Sequence, residues 1–286
     1  MGACHKRFHF ILLLQFLRLP MKKFFYTILT ITAVLLSACD KVPLEERLVF
    51  VEPSEVCRAV LIEDYTGQYC VNCPRATEEI ERLVEQYGDS VVIAVAIHSG
   101  PFSKKNGVPS PLYTEVGDNY FNKWGLSAQP VGLVDRLFNS SPFSYTDWAA
   151  GVNYEVGYEA PVSFLTAVDF DDETRRASVE VQTIGMAGER VSGKLQVWLV
   201  EDSIDSYQYM PDGSIQEHYN HMHVFRASVN DPWGDDLSVA HGEVALKKYD
   251  FALDPAWVPE HCALVTFFFD EDGVQQVAKK KLINKP

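Results

Sequence analysis

Two cysteines, Cys70 and Cys73, enclose Val71 and Asn72. A pair at this spacing can close a small disulfide or open into a dithiol, and it also forms half of many structural zinc sites. The flanks favour redox chemistry. An apolar, strand-like run from Ala59 to Tyr65 leads into the pair, and a helix-like run from Pro74 to Tyr87 leaves it. Disulfide exchange proceeds through a thiolate, so the first cysteine needs a lowered pKa. At a strand-to-helix junction its sulfur would face the unpaired amides at the positive end of the helix. Cys70 holds that position, and Cys73, one turn later on the buried side, is placed to resolve a mixed disulfide.

Other reactive side chains are more scattered. His98 ends the run Val91–Ile97, at the carboxyl edge where open α/β sheets carry their functional groups. It could act as acid or base beside the dithiol, or simply cap a strand. On a regular strand His221 and His223 share one face while His218 takes the other, so these three do not form a metal set. No metal and no cofactor are expected. Asp171-Asp172-Glu173 and Asp270-Glu271-Asp272 lack the ligand spacing of a calcium loop and read as solvated turns. Tyr207, Tyr209, Tyr219 and Phe225 could recognise a peptide or glycan, or be cross-strand packing pairs.

The elements that must position the pair follow from periodicity. Ala59–Ile62 and Val91–Ile97 are uninterrupted apolar runs of the kind seen where both faces of a strand are covered. Between them Ala76, Ile80, Leu83, Val84 and Tyr87 fall on one helical face, with Pro74 in the first turn and Gly88 past the end. Strand, helix and strand of this type make a parallel βαβ unit. Residues 101–111 read as a loop, Thr114–Trp124 and Thr146–Tyr158 as helices, and Val131–Val134 as a strand after Pro130. A further edge strand is expected between Asp135 and Ser144. Beyond Pro161 short strands alternate with turns, which predicts a β-sandwich.

The ends and the charge bound the setting. Residues 1–38 carry five basic and no acidic side chains and an apolar stretch from Phe24 to Leu35, a targeting segment whose start is expected at Met21. Leu36-Ser37-Ala38-Cys39 resembles the cleavage site of a bacterial lipoprotein, which makes Cys39 the lipidated residue and the membrane anchor. Residues 39–55 read as a tether. The formal charge is −14 for the whole chain, and the residues beyond the basic leader carry 20 basic against 39 acidic side chains, which argues against nucleic acid as a partner. Cys57 and Cys262 could be bridged or be separate buried thiols; the second arrangement is expected.

Residues 61–69 leading into the cysteine pair, with Gln129-Pro130 before a strand, resemble the thioredoxin superfamily over 56–160. That resemblance implies a cis-proline at Pro130 opposite the dithiol, a substrate-docking backbone at Gln129, and a buried acid at Asp64, with Glu63 as the alternative. The intervening Val71-Asn72 departs from the Gly-Pro of thioredoxin, and no tryptophan precedes Cys70. Taken with the lipoprotein signal and the later His221-Met222-His223-Val224-Phe225-Arg226, the chain resembles the twenty-eight-kilodalton outer-membrane lipoproteins of Bacteroidota. The expected architecture is an α/β thioredoxin-like domain over 56–160 followed by an all-β, immunoglobulin-like sandwich over 161–286. The expected location is the outer membrane, by the lipid on Cys39. Two functions follow: a thiol-disulfide oxidoreductase acting on extracytoplasmic proteins, with Cys70, Cys73 and Asp64 catalytic, or a non-enzymatic adhesin, binding or assembly protein that uses the fold as scaffold.

Overall fold

The computed structural model describes residues 57–283. The signal segment, Cys39 and the tether over 39–55 lie outside the described residues. The chain runs through β1 (Val60–Thr66), α1 (Cys73–Tyr87), β2 (Val92–His98), the small hairpin of β3 (Lys104–Lys105) and β4 (Val108–Pro109), α2 (Glu115–Lys123), β5 (Val131–Val134) and α3 (Trp148–Glu155). Ten strands follow: β6 (Val162–Asp171), β7 (Arg176–Gly185), β8 (Val191–Glu201), β9 (Ile204–Tyr209), β10 (Ile215–His221), β11 (Val224–Ser228), β12 (Asp235–Val239), β13 (Val244–Ala252), β14 (Cys262–Asp270) and β15 (Gly273–Lys281). The fold is mostly β, with mixed sheets.

β1 is buried along its whole length because both of its neighbours and both of its faces are occupied. It pairs in parallel with β2, from Val60 opposite Val92 to Thr66 opposite His98, and antiparallel with β5. Side chains alternate across the strand. Val60 and Ile62 face α1, where Ala76, Ile80 and Leu83 meet Trp148 and Val152 of α3. Leu61 and Tyr65 face the opposite side. α1 begins with Pro74 in its first turn, where no intrahelical donor is lost, and ends at Gly88, whose φ of 95° suits glycine. α2 is capped by Thr114, whose hydroxyl accepts the Gly117 N–H at 3.1 Å.

Where the sequence divides the chain at residue 160, the sheet does not. The main sheet runs β15-β14-β8-β11-β2-β1-β5, with β12 attached to β8. β11 joins β2 in parallel at Val224 opposite Ala96, so strands from both halves share one hydrogen-bonded surface. The sheet curls until its far strand meets the first: the Ala59 N–H donates to Gln276 Oε1 at 2.9 Å, and the Val274 N–H to the Asp135 carbonyl at 2.7 Å. Its inner face holds Leu61, Tyr65, Ile97, Trp198, Phe225 and Phe267, closed by Tyr120 and Phe121 of α2. Trp198 donates its indole N–H to the Tyr120 hydroxyl at 3.2 Å, satisfying the polar handle of a buried ring.

The expected self-contained sandwich is thus corrected in part. β6, β7 and β13 do form a separate three-stranded sheet that stacks on the outer face of β8 and β14, with Val179 and Val181 against Val197, Leu199 and Leu264. The sheet they cover belongs equally to β1 and β2. β8 and β14 are therefore buried on both faces, one against each core. The edge strand expected between Asp135 and Ser144 is absent. Asp135, Arg136, Phe138, Asn139 and Ser140 have φ between 45° and 58°, a left-handed turn, before Phe143 returns to bridge Gly132.

Candidate functional site

β1 delivers Gly67 to Cys70 off its carboxyl end, and α1 begins at Cys73. Cys70 and Cys73 form a disulfide with a Cα separation of 5.4 Å. The sequence expects Cys70 to be solvent-facing at the mouth of the helix; instead both cysteines are 2% exposed. Hairpin β9–β10 covers them. Gln208 Nε2 donates to the carbonyls of Cys70 at 3.0 Å and Gly67 at 3.3 Å. The Tyr209 N–H donates to the Gln68 carbonyl at 2.9 Å. Gln68 answers with its own side chain, Nε2 donating to the Tyr207 carbonyl at 2.8 Å and to Ser206 Oγ at 2.9 Å. Tyr69 packs its ring on Tyr207 and Tyr209 and accepts the Tyr207 hydroxyl at 2.8 Å.

Behind the disulfide lies a cavity of about 20 Å³ lined by Asp64, Cys73, Thr77, His98, Gln208 and His221 among others. That is room for about one water molecule. Asp64 is 1% exposed and its Oδ1 has no hydrogen-bond partner. Burial without a compensating charge pushes its carboxyl up to about 8, so the group is protonated at neutral pH. His98 is also buried, its Nδ1 without a partner, and its ring packs edge-on to His221 at 5.4 Å. Desolvation, then the His221 and Arg226 charges, hold His98 well below the usual imidazole range. Burial pulls His221 down to about 4, despite its contact with the Tyr207 carbonyl.

The two acids considered for one role are separated by the strand alternation. Asp64 points to the α1 side with Cys73. Glu63 points into the inner core, where it accepts Arg136 Nε at 2.6 Å and the Tyr65 hydroxyl at 2.9 Å. The Arg136 guanidinium stacks over Phe269 at 4.5 Å and Phe267 at 5.1 Å. Glu63 is a core ion pair, on the wrong face to meet the disulfide. The Gln129–Pro130 bond is cis, and it precedes Val131, which pairs with Tyr65. The Gln129 side chain braces the same strand end, donating to the Thr66 carbonyl at 2.6 Å and the Ser99 carbonyl at 2.9 Å. The proline therefore lies at the carboxyl end of β1, from which the cysteine loop departs.

The three histidines go to three places. His218 is exposed on β10 beside Asp205 at 3.0 Å, His221 turns inward to His98, and His223 lies beside Asp202 and Lys279. No cluster suited to a metal ion occurs among the described residues. Phe225 is core; Tyr207, Tyr209 and Tyr219 belong to the covering hairpin and face the disulfide loop and α1, rather than forming an outward surface. Cys57 and Cys262 are both free, the first exposed and the second buried, which corrects the expectation of two buried thiols. Both line a groove of about 710 Å³ that also holds Val92, Ala94, Ala263 and Val277.

Gln208 and Gln68 are the site residues the sequence reading missed. Each is a lone amide with no local pattern, and they meet only because β9 crosses the loop 140 residues upstream. The strand run Ile204–Tyr209 carries no clean alternation that would have marked it. No helix among the described residues is long and apolar enough to cross a membrane.

Comparison with known proteins bears on this arrangement at two levels. The structure resembles HBP35 of Porphyromonas gingivalis, with a TM-score of 0.60 over 82% of each chain at 14% identity, which is a likeness of fold. It also matches a domain of the outer membrane lipoprotein Omp28 from Porphyromonas gingivalis, at 22% identity over 44% of this chain and 92% of that one, with a TM-score of 0.32. No curated protein matches the chain. The family described as Outer membrane protein Omp28 matches residues 117–285, more than half of the chain. That span takes in most of α2, the cis-proline strand, the covering hairpin and every strand of the second half, so the chain belongs to the Omp28 family of outer membrane proteins and to the cell envelope at the outer membrane.

Proposed function

We propose that the protein is a non-enzymatic outer-membrane lipoprotein, held by lipid on Cys39, that serves as a binding or assembly partner. In this reading residues 56–160 are a thioredoxin-like scaffold fused to a β-rich half, and the Cys70–Cys73 disulfide stiffens the start of α1. One observation carries it: both cysteines are closed off beneath a hydrogen-bonded hairpin, where an exchange enzyme needs its attacking sulfur exposed. The membrane is the first partner, with peptide or glycan ligands falling to the β-rich half.

The test is a redox titration of the mature chain with thiol trapping. Structural disulfides have potentials below about −300 mV, and catalytic pairs span roughly −270 to −120 mV. A Cys70–Cys73 pair that stays oxidised in strong reductant supports the scaffold. A potential in the catalytic range overturns it.

A second reading, thiol-disulfide oxidoreductase acting on extracytoplasmic protein thiols, is favoured by one specific feature. Asp64 stands protonated and unpartnered in the cavity it shares with Cys73, a costly placement that a purely structural disulfide does not require. In that reading Cys70 attacks, Cys73 resolves, Asp64 exchanges the proton, and Gln129 with Pro130 receives the substrate backbone.

A further inference from the structure

The hairpin that covers the disulfide is fastened unlike any other strand pair of the second half. β9 and β10 form a two-stranded sheet of their own, outside the main sheet. One main-chain bond, Tyr209 N–H to the Gln68 carbonyl, ties β9 to the cysteine loop. The rest of the seal is made by side chains: Gln208 on the Gly67 and Cys70 carbonyls, Gln68 on the Tyr207 carbonyl, the Tyr207 hydroxyl on Tyr69, and Lys105 Nζ on the Tyr209 hydroxyl. Most of β10 is open to solvent on its far side.

Both ends of the hairpin depart from residues held in the left-handed region. Ser203 has φ 59° and His223 φ 57°. Neither is glycine, so each conformation persists only while its surroundings hold it. Those surroundings are polar and local: the Ser203 N–H meets Met222 Sδ at 3.3 Å, and the His223 N–H donates to Asp202 Oδ1 at 2.7 Å. Strained residues at the two ends of a flap that is otherwise pinned by side chains are what a hinge needs. What lies beneath is the Cys70–Cys73 bond, with Asp64 behind it.

We propose that hairpin β9–β10 is a cap hinged at Ser203 and His223, and that the disulfide it covers is a thiol-disulfide exchange site kept closed by the chain itself. The partner it fits is an extended polypeptide segment bearing two thiols, which takes the place of β9 along Gln68. With the cap raised, a partner thiolate attacks Cys70 Sγ. The Cys70–Cys73 bond breaks, a mixed disulfide forms at Cys70, and Cys73 leaves with the electron pair and takes a proton from Asp64. The partner's second thiolate then displaces Cys70. The partner dithiol is oxidised to a disulfide, the cysteine pair is reduced to two thiols, and the partner's two thiol protons balance the exchange.

This rests on the oxidoreductase reading and accounts for the closed-off disulfide that otherwise favours the scaffold. The experiment measures the rate at which dithiothreitol reduces Cys70–Cys73 in the full mature chain, by maleimide trapping and mass spectrometry. Gln208→Ala and Tyr207→Phe loosen the cap; Tyr249→Phe, which removes a hydroxyl bond to Asp235 elsewhere in the fold, is the control. Reduction at least tenfold faster in both cap variants, with the control within twofold of wild type, is the expected result. Equal rates in all four proteins overturn the cap, as does equal acceleration in the control, which would mean global opening. Should Gln208→Ala fail to fold, Tyr207→Phe removes a single oxygen and carries the comparison. A wild-type pair that resists while the cap variants yield supports the capped exchange site. One that resists in every protein sinks the cap and the oxidoreductase reading together, and one that yields equally in every protein with a potential in the catalytic range sinks the cap alone.

Discussion

Arg136 donates Nε to Glu63 Oε1 at 2.6 Å, with the two side chains 6% and 1% exposed. The guanidinium comes from the left-handed turn after β5 and reaches a carboxylate on β1, so an irregular segment is pinned to a fully buried strand. Removing one member leaves the other charged and buried, a loss of about 3–5 kcal/mol. Arg136→Ala is expected to fall in that range in urea unfolding. Arg136→Met, which keeps the stem among Phe267 and Phe269, does not rescue it, because Glu63 is still unpaired. Full rescue by Met would assign the loss to packing instead.

Asp64, one residue further on, has no such partner, and its titration opposes stability. Its ordinary value is 3.8 and its folded value about 8. Below pH 3.8 it is protonated in both states and costs nothing through ionisation. As pH rises from 3.8 towards 8 the unfolded chain releases the proton and the folded chain keeps it, so stability is lost at up to about 1.4 kcal/mol per pH unit. Asp64→Asn removes this loss. The stability gap between variant and wild type, with the disulfide intact, should widen steadily from pH 4 to pH 8. A gap independent of pH would show that the carboxyl ionises freely in the fold.

His221 shifts the opposite way. Burial takes it from 6.5 to about 4, so it is neutral in the fold across most of the mildly acidic range. Stability from this group is complete above pH 6.5 and declines as pH falls towards 4, since the unfolded imidazole gains its proton first. His98 acts in the same direction. Imidazole resonances followed by NMR should show His221 titrating at about 4 and His98 well below the ordinary 6.5. Midpoints near 6.5 for either would place that ring in contact with solvent.

The free cysteines should separate by reactivity. Cys57 is exposed, whereas Cys262 is buried at the start of β14 and its thiol is pushed up to about 12 by desolvation and by Glu201. Iodoacetamide at pH 8 is expected to label Cys57 within minutes in the native protein and to leave Cys262 unmodified until urea is added. Mass spectrometry reads both sites in one digest, and native labelling of Cys262 would contradict its burial.

The local elements around the cysteine pair were legible because their causes are local. Apolar continuity marked β1 and β2, the 3.6-residue spacing from Ala76 to Tyr87 marked α1, and Pro74 and Gly88 marked its ends. The partners of strands were not legible. Nothing in Val224–Ser228 states that it will lie beside β2, because pairing is decided by which edges remain open once the chain has collapsed. The left-handed run from Asp135 to Ser140 was not legible because, beside Asp135 and Asn139, it is built from Arg136, Phe138 and Ser140, types that do not favour that region. The cover over the disulfide rests on Gln208 and Gln68, two amides that pattern reading treats as surface.

Because Ala59 is tied to Gln276 and Asp135 to Val274, the earliest strand is completed by the latest one. Translation and export proceed from the amino terminus, so the first hundred described residues emerge without the surface that closes their core. Long-range closure of this kind makes folding slow and leaves apolar edges open meanwhile. The chain must then reach the far side of the inner membrane before it can mature, and a fragment ending near residue 160 should be a substrate for envelope proteases rather than a working module.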